Sequence, residues 1–299
     1  MKKLTLSIVA ALSAVTVFAD AAPTMNDGWA LLNKGKRPEA EKVFRAIAAR
    51  ESLVDRYSGT LGLMFALRQQ KKNEEVIKEV DSWIAKTPDA TLNQKASLYL
   101  FKGNALRDLR KVDEALAAYK TGADLKSPKH NSSDCAKEYI MLAANEGKFE
   151  LAKQMYEETS KMPVAMKNIG FLINSAWLMW KTNQPEIGLK LLDDAEKLKH
   201  PAYLDENIYR TRGYIYRDCT KDQEEAVKAF EKALAVPGLQ NYQKAVLWNN
   251  IGMAYERDDE FEKAVEAYKK VGTFNAKGWF IKYAENAAKR LQKKIEAGE

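Results

Sequence analysis

Few side chains in this 299-residue sequence are suited to covalent or metal chemistry, and their spacing works against it. The two histidines, His130 and His200, stand alone, without the further ligands at short spacing that a zinc site needs. Both fall in segments that read as loops and are expected to face solvent. The two cysteines, Cys135 and Cys219, lie about two structural repeats apart, whereas a disulfide needs Cα atoms within about 7 Å. They are expected as unpaired, partly buried thiols. No phosphate-cradling glycine loop, Gly-x-Ser-x-Gly elbow, Ser-x-x-Lys or His-Glu-x-x-His motif occurs. The carboxylate pairs Asp193-Asp194 and Asp258-Asp259 are adjacent, so on a helix they point in different directions and cannot work as an acid and base. No catalytic residue, metal or cofactor is expected, and the chain reads as a non-enzyme. The chemistry left is recognition. An Arg-Asp dipeptide recurs at Arg107-Asp108, Arg217-Asp218 and Arg257-Asp258. A guanidinium fork pairs with carboxylates in a bidentate way, so each dipeptide either grips an acidic partner or closes on itself.

The frame that positions these groups is helical. Only 15 Gly and 8 Pro punctuate the chain, and 46% of it is apolar. The 48 basic and 41 acidic residues give a net charge of +7, with the two signs interleaved as on solvated helix faces. Nucleic acid is not expected as a partner, because phosphate binding needs clustered cations and no run of five or six occurs.

A small residue followed four places later by a large apolar one recurs along the chain. The pairs are Ala40/Phe44, Val76/Val80, Ala115/Tyr119, Ala152/Tyr156, Gly188/Leu192, Ala226/Phe230 and Ala264/Tyr268, spaced by 36, 39, 37, 36, 38 and 38 residues. A spacing of four stacks both side chains on one helix face. Upstream of most pairs a second helical pattern appears, clearest in Trp248 to Tyr255 before Ala264 and Tyr268, and in Tyr99 to Leu106 before Ala115 and Tyr119.

These residues resemble the tetratricopeptide repeat (TPR), a helix-turn-helix unit. The resemblance covers roughly residues 24–272. It implies an all-α, right-handed α-solenoid of about seven TPR-like repeats, with Gly103, Gly213 and Gly252 letting the first helix of a repeat lie against the second. The array is expected over 22–275. Residues 276–299 form a C-terminal capping helix with Trp279, Ala284, Ala287, Leu291 and Ile295 inward and Lys282, Lys289, Arg290, Lys293 and Lys294 outward. The period exceeds the family's usual length. The extra residues are assigned to linkers such as 127–133 and 237–241.

In this family the first helices line a concave groove that receives extended peptides. Carried onto this sequence, the groove positions are Arg107, Trp177, Trp180, Lys181, Arg210, Tyr214, Arg217, Asn249, Asn250, Met253 and Arg257, with Arg68 on the same stripe. A specialised family clamp for a C-terminal carboxylate is not supported. Asn250 fits one of its positions, but Tyr214 stands where an Asn is needed. The resemblance therefore implies a scaffold for a protein or extended peptide, whose backbone or carboxylates the Arg and Asn side chains would hydrogen-bond, an acidic segment being one such partner. The alternatives are a self-associating component or a regulatory subunit of an envelope enzyme.

The first residues, Met1-Lys2-Lys3 followed by apolar Leu4 to Ala19, have the layout of a bacterial secretory signal, with cleavage after Ala19 or Ala21. The apolar stretch is short for a span of about 20 residues. Residues 1–21 are read as a signal peptide. The mature chain is expected in the periplasm or secreted, without stable membrane insertion.

Overall fold

A computed structural model describes residues 22–298. The signal-peptide assignment, residues 1–21, lies outside the described residues. Among the described residues the chain forms fifteen α-helices and no strand. It falls into two compact units that divide between Leu125 and Lys126.

The first unit is three helical hairpins: α1 (Met25–Asn33) with α2 (Arg37–Ala48), α3 (Leu53–Gln69) with α4 (Asn73–Lys86), and α5 (Leu92–Asp108) with α6 (Val112–Asp124). The second is four hairpins and a final helix. These are α7 (Asn131–Asn145) with α8 (Phe149–Thr159), α9 (Ile169–Lys181) with α10 (Pro185–Lys197), α11 (Asp205–Ile215) with α12 (Gln223–Leu234), α13 (Asn241–Arg257) with α14 (Phe261–Gly272), and α15 (Trp279–Ala297). All seven small/large pairs lie on the second helix of a hairpin. Ala40, Phe44, Val76, Val80, Ala115, Tyr119, Ala226 and Phe230 have no exposure at all, and Tyr156 alone is half-buried.

Glycines of the first helices explain how four of the hairpins close, Gly28 on Phe44, Gly103 on Tyr119, Gly213 on Phe230 and Gly252 on Tyr268. A Cβ at Gly103 would lie 2.3 Å from the Tyr119 ring, and one at Gly252 would lie 2.7 Å from Tyr268. Glycine inside a helix costs about 1 kcal/mol relative to alanine, whereas burying an aromatic ring stabilises by roughly 2–3 kcal/mol. Packing therefore wins. In these four pairs the ring belongs to the same hairpin as its glycine, while Gly62 of α3 admits Phe44 of the preceding hairpin.

The turn inside each hairpin carries one residue in the left-handed conformation. These are Gly35, Lys71, Arg110, Gly147, Asn183, Lys221 and Asp259, with φ between 54° and 74°. Each stands five residues before the small residue of its pair. In six hairpins the next residue donates its N–H to the carbonyl five places back, as in Lys36→Leu31, Lys72→Leu67, Lys111→Leu106 and Glu260→Tyr255. This backbone bond recaptures orphan carbonyls at the helix end. The α11/α12 hairpin differs: Asp222 reaches back six places to Tyr216, across a single π-helical turn over Tyr216–Thr220.

Three expectations are corrected by the packing. Trp279 is 75% exposed, because α15 begins there and Phe280, 3% exposed, takes the inward place. The segment 127–133 is not all linker: α7 begins at Asn131, with Ser132 and Ser133 buried and Ser133 Oγ donating to the His130 carbonyl at 2.7 Å. His200 does not face solvent. Its side chain is 9% exposed, held between the Leu198 carbonyl at Nδ1 (2.5 Å) and Asp205 at Nε2 (2.8 Å). His130 is exposed, and both cysteines are free, Cys135 buried and Cys219 half-buried.

Candidate functional site

Ten of the eleven predicted groove residues lie in the second unit, nine on the first helices α9, α11 and α13 and Arg217 on the π-helical turn that follows α11. Arg107 lies in the first, on α5. In the second unit they form one connected cluster. Trp180 of α9 stacks on Tyr214 of α11 with centroids 4.6 Å apart and planes 23° from parallel. Trp177 meets Trp180 edge-on at 5.9 Å. Lys181 Nζ lies 4.0 Å above the Trp180 ring and has no carboxylate partner among the described residues. On the other side, the guanidinium carbons of Arg210 and Arg217 lie 5.7 Å and 5.4 Å from the Tyr214 ring. Cations over aromatic faces contribute about 0.5–1 kcal/mol where exposed and more where desolvated.

At the centre sits an ionic node. Arg217 is 6% exposed and forms a bidentate pair with its neighbour Asp218, Nε to Oδ1 at 2.8 Å and Nη2 to Oδ2 at 2.7 Å. Its Nη1 donates to Asn250 Oδ1 and faces Met253 Sδ at 3.7 Å. Asp218 also accepts from Trp180 Nε1 at 2.9 Å and from Arg257 Nη1 at 2.5 Å. Burial pushes the Asp218 carboxyl up, but the hydrogen bonds and charge of Arg217, with those of Arg257 and Trp180, outweigh it and hold the pKa at about 2. Arg257 further donates to the Arg217 carbonyl at 3.0 Å, and Gln223 Nε2 to the same carbonyl at 3.1 Å. Beside the node opens a depression of about 730 Å³ lined by Arg217, Asp218, Lys221, Gln223, Arg257 and Asp258.

The remaining predicted residues are partly engaged. Arg210 donates to the buried Glu206 at 2.6 Å and to Asn207 at 2.7 Å, with its guanidinium carbon 5.7 Å from the Tyr214 ring. Asn250 is committed to Arg217 and to the Val246 carbonyl at 2.7 Å. Asn249, 3% exposed, donates to Met253 Sδ at 3.6 Å while its Oδ1 is buried without a partner. In the first unit, Arg68 pairs with Asp108 at 3.1 Å.

The three Arg-Asp dipeptides are thus not equivalent. Arg107 and Arg217 stand four residues after Gly103 and Gly213, but Arg257 stands five after Gly252. Arg217-Asp218 lies within the π-helical turn and the arginine there closes on its own neighbour, whereas Arg257 reaches across to Asp218. The extra residue was readable from spacing: the left-handed residue follows the glycine by seven places in α5 and α13, and by eight in α11.

Two segments, residues 96–128 and 241–273, match the model of the Tetratricopeptide repeat family. They correspond to the α5/α6 and α13/α14 hairpins, the two with the fullest repeat signature. The fold is similar to that of a tetratricopeptide repeat protein from Parabacteroides merdae ATCC 43184, with TM-score 0.56 and 15% identity over 90% of this chain and 97% of the other. It is also similar to the C-terminal part of a TPR repeat-containing protein from Cytophaga hutchinsonii (TM-score 0.54, 16% identity, 88% and 99% covered). A third likeness is to a chain of the APC/C hetero-tetramer Cut9-Hcn1 (TM-score 0.61, 14% identity, 91% of this chain and 49% of that one). No protein of curated function matches the chain in sequence. Two of the seven helical hairpins match the Tetratricopeptide repeat family model, and the fold, an all-α array of helix-turn-helix hairpins, is that of tetratricopeptide repeat proteins. Proteins built this way generally serve as binding scaffolds for proteins or peptides.

Proposed function

We propose that this chain is an exported, non-enzymatic scaffold that binds an extended, acidic protein segment on the α9–α11–α13 face. The observation that carries the reading is the stacked Trp180–Tyr214 pair flanked by Lys181 on one side and Arg210 on the other. The rings offer apolar contact, and their order is already set by the node at Asp218, so a bound segment meets a surface with little left to arrange. Lys181, Arg210, Arg217 and Arg257 set four positive charges against the carboxylates of Glu206, Asp218 and Asp258, which leaves the face cationic. An acidic segment complements it.

The N-terminal layout supports export to the bacterial envelope, with residues 1–21 removed. Immobilised mature chain is expected to retain envelope proteins that a Trp177→Ala/Lys181→Glu chain does not. Lys181 is exposed and Trp177 half-buried, and neither side chain hydrogen-bonds to Arg217, Asp218 or Arg257. Equal retention by the two chains would overturn the face assignment, and recovery of the protein uncleaved in the cytoplasm would overturn export.

A further inference from the structure

The last helix carries a second surface, separate from the α9–α11–α13 face and not dependent on that reading. On α15, Lys282, Asn286, Lys289 and Lys293 follow one another at helical spacing, opposite the buried Phe280, Ala284, Ala287, Ala288 and Leu291. Among the described residues no carboxylate is within ion-pair distance of Lys282, Lys289 or Lys293. The neighbouring cations are partly engaged: Arg290 pairs with Glu256, and Lys294 lies 4.9 Å over the Phe261 ring. Asn286, Lys289, Arg290, Lys293 and Lys294 line a shallow depression of about 450 Å³. The carboxylates of α15, Glu285 and Glu296, line a groove toward α14 together with Lys269, Lys289 and Lys293, so the lysine row borders them on one side and leaves the face with an excess of positive charge. At the start of the lysine row Trp279 stands 75% exposed, edge-on to Tyr283 at 6.0 Å.

We propose that this face of α15 docks peripherally on a bilayer surface rich in anionic phospholipid. Lys282, Lys289 and Lys293 meet headgroup phosphates, and Trp279 enters the interfacial layer. The row from 282 to 293 runs straight for about 16 Å at 1.5 Å per residue. The row runs along one exposed face of a single helix, so a flat anionic surface can meet all three lysines at once. Single-stranded nucleic acid is fitted by a cationic groove with aromatic rings interleaved along it for the bases. Here the ring stands at the end of the row. Tryptophan at the head of a lysine face is the composition of helices that settle at headgroup depth. Docking does not imply spanning, since no helix among the described residues is long and apolar enough to cross a membrane.

The test is co-sedimentation of the chain beginning at residue 22, since the apolar segment from Leu4 to Ala19 would itself partition into lipid. Vesicles of phosphatidylcholine alone are compared with vesicles containing phosphatidylglycerol. The expected result is binding to the second only, weakened by added salt. Each lysine near such a surface contributes about fivefold in partition, equivalent to roughly 1 kcal/mol. Lys289→Gln/Lys293→Gln is therefore expected to bind about 25-fold more weakly, and Trp279→Ala to bind more weakly with its salt dependence unchanged. All three side chains are exposed, and unaltered thermal unfolding establishes that the variants fold. Absence of binding to phosphatidylglycerol vesicles, or equal binding by the lysine variant, overturns the proposal. Displacement from the vesicles by inorganic phosphate or by a short RNA at equal charge concentration also overturns it, in favour of a soluble anion.

Discussion

The indole N–H of Trp180 donates to Asp218 at 2.9 Å, which ties α9 to the carboxylate that neutralises a buried arginine one hairpin later. The aromatic face and the ionic node are therefore one structure. Trp180 is held for stacking by the same oxygen that Arg217 needs for charge balance.

Asp218→Ala should accordingly be far more damaging than its half-buried position suggests. It leaves Arg217, 6% exposed, without its counter-charge, and breaking such a pair costs about 3 kcal/mol. The expected outcome is a clear fall in the urea midpoint with unchanged helical content. A loss below about 0.5 kcal/mol would show that water reaches Arg217 freely.

Two groups make stability depend on pH with opposite signs. Asp218 is depressed to about 2, so its contribution is present above an ordinary carboxyl value of about 4 and is lost as pH falls toward 2. The stability difference between the natural chain and Asp218→Asn should shrink over that window. His200 is raised, chiefly by its hydrogen bond to Asp205, because both ring nitrogens face oxygen acceptors and both are best satisfied as N–H. Its contribution is complete below about pH 6.5 and is lost as pH rises through the elevated value. The difference between the natural chain and His200→Gln should be largest in mild acid and decline in alkali; a difference that grows with pH would refute the imidazolium assignment.

The glycine–aromatic closure predicts a reversal of sign. Gly103→Ala forces a Cβ to 2.3 Å from the Tyr119 ring and should destabilise by about 1–3 kcal/mol. In a Tyr119→Ala background the same change should be neutral or stabilising by up to about 1 kcal/mol, from helix propensity alone. Chemical unfolding of the four proteins measures the coupling, and simple additivity would show that the two positions do not meet.

Lys71 and Arg110 hold the left-handed conformation at φ 60° and 61°, where a side chain is strained by about 1–2 kcal/mol. Both are exposed. Lys71→Gly and Arg110→Gly should each stabilise by about 0.5–1 kcal/mol after the entropy of a freer unfolded chain is subtracted, and the gains should add. Thermal unfolding that moves downward for either would show that the lysine or arginine side chain contributes more than its backbone loses.

How much of this was legible follows from the range of each interaction. The hairpins were readable because Ala115/Tyr119 and its counterparts report a local geometry of four residues on one helix. The cap was readable as a helix, but not its phase: Trp279 and Phe280 are adjacent and equally apolar, and only the start of α15 decides which turns inward. The eleven candidate residues were placed by family register. The sequence could show neither that Arg217 and Asn250 spend their hydrogen bonds on each other nor that His200 is clasped, since these depend on side-chain approach across 33 residues and on a loop path. The π-helical turn fell between. Its extra residue is countable, yet it gains meaning only once the glycine and the left-handed residue are known to be fixed points.

Those fixed points have a consequence for how the chain tolerates change in length. From left-handed residue to small residue the distance is always five, although the repeats differ by up to three residues in period. Variation lies outside that turn, in the lengths of the helices and in the connectors between hairpins, which range from the four residues after α2 to the nine between α8 and α9. A loop grafted at Pro237–Gly238 enters a joint where length is already free. The same loop placed at Lys71 or Asp259 would land in a hinge that every repeat keeps at one size.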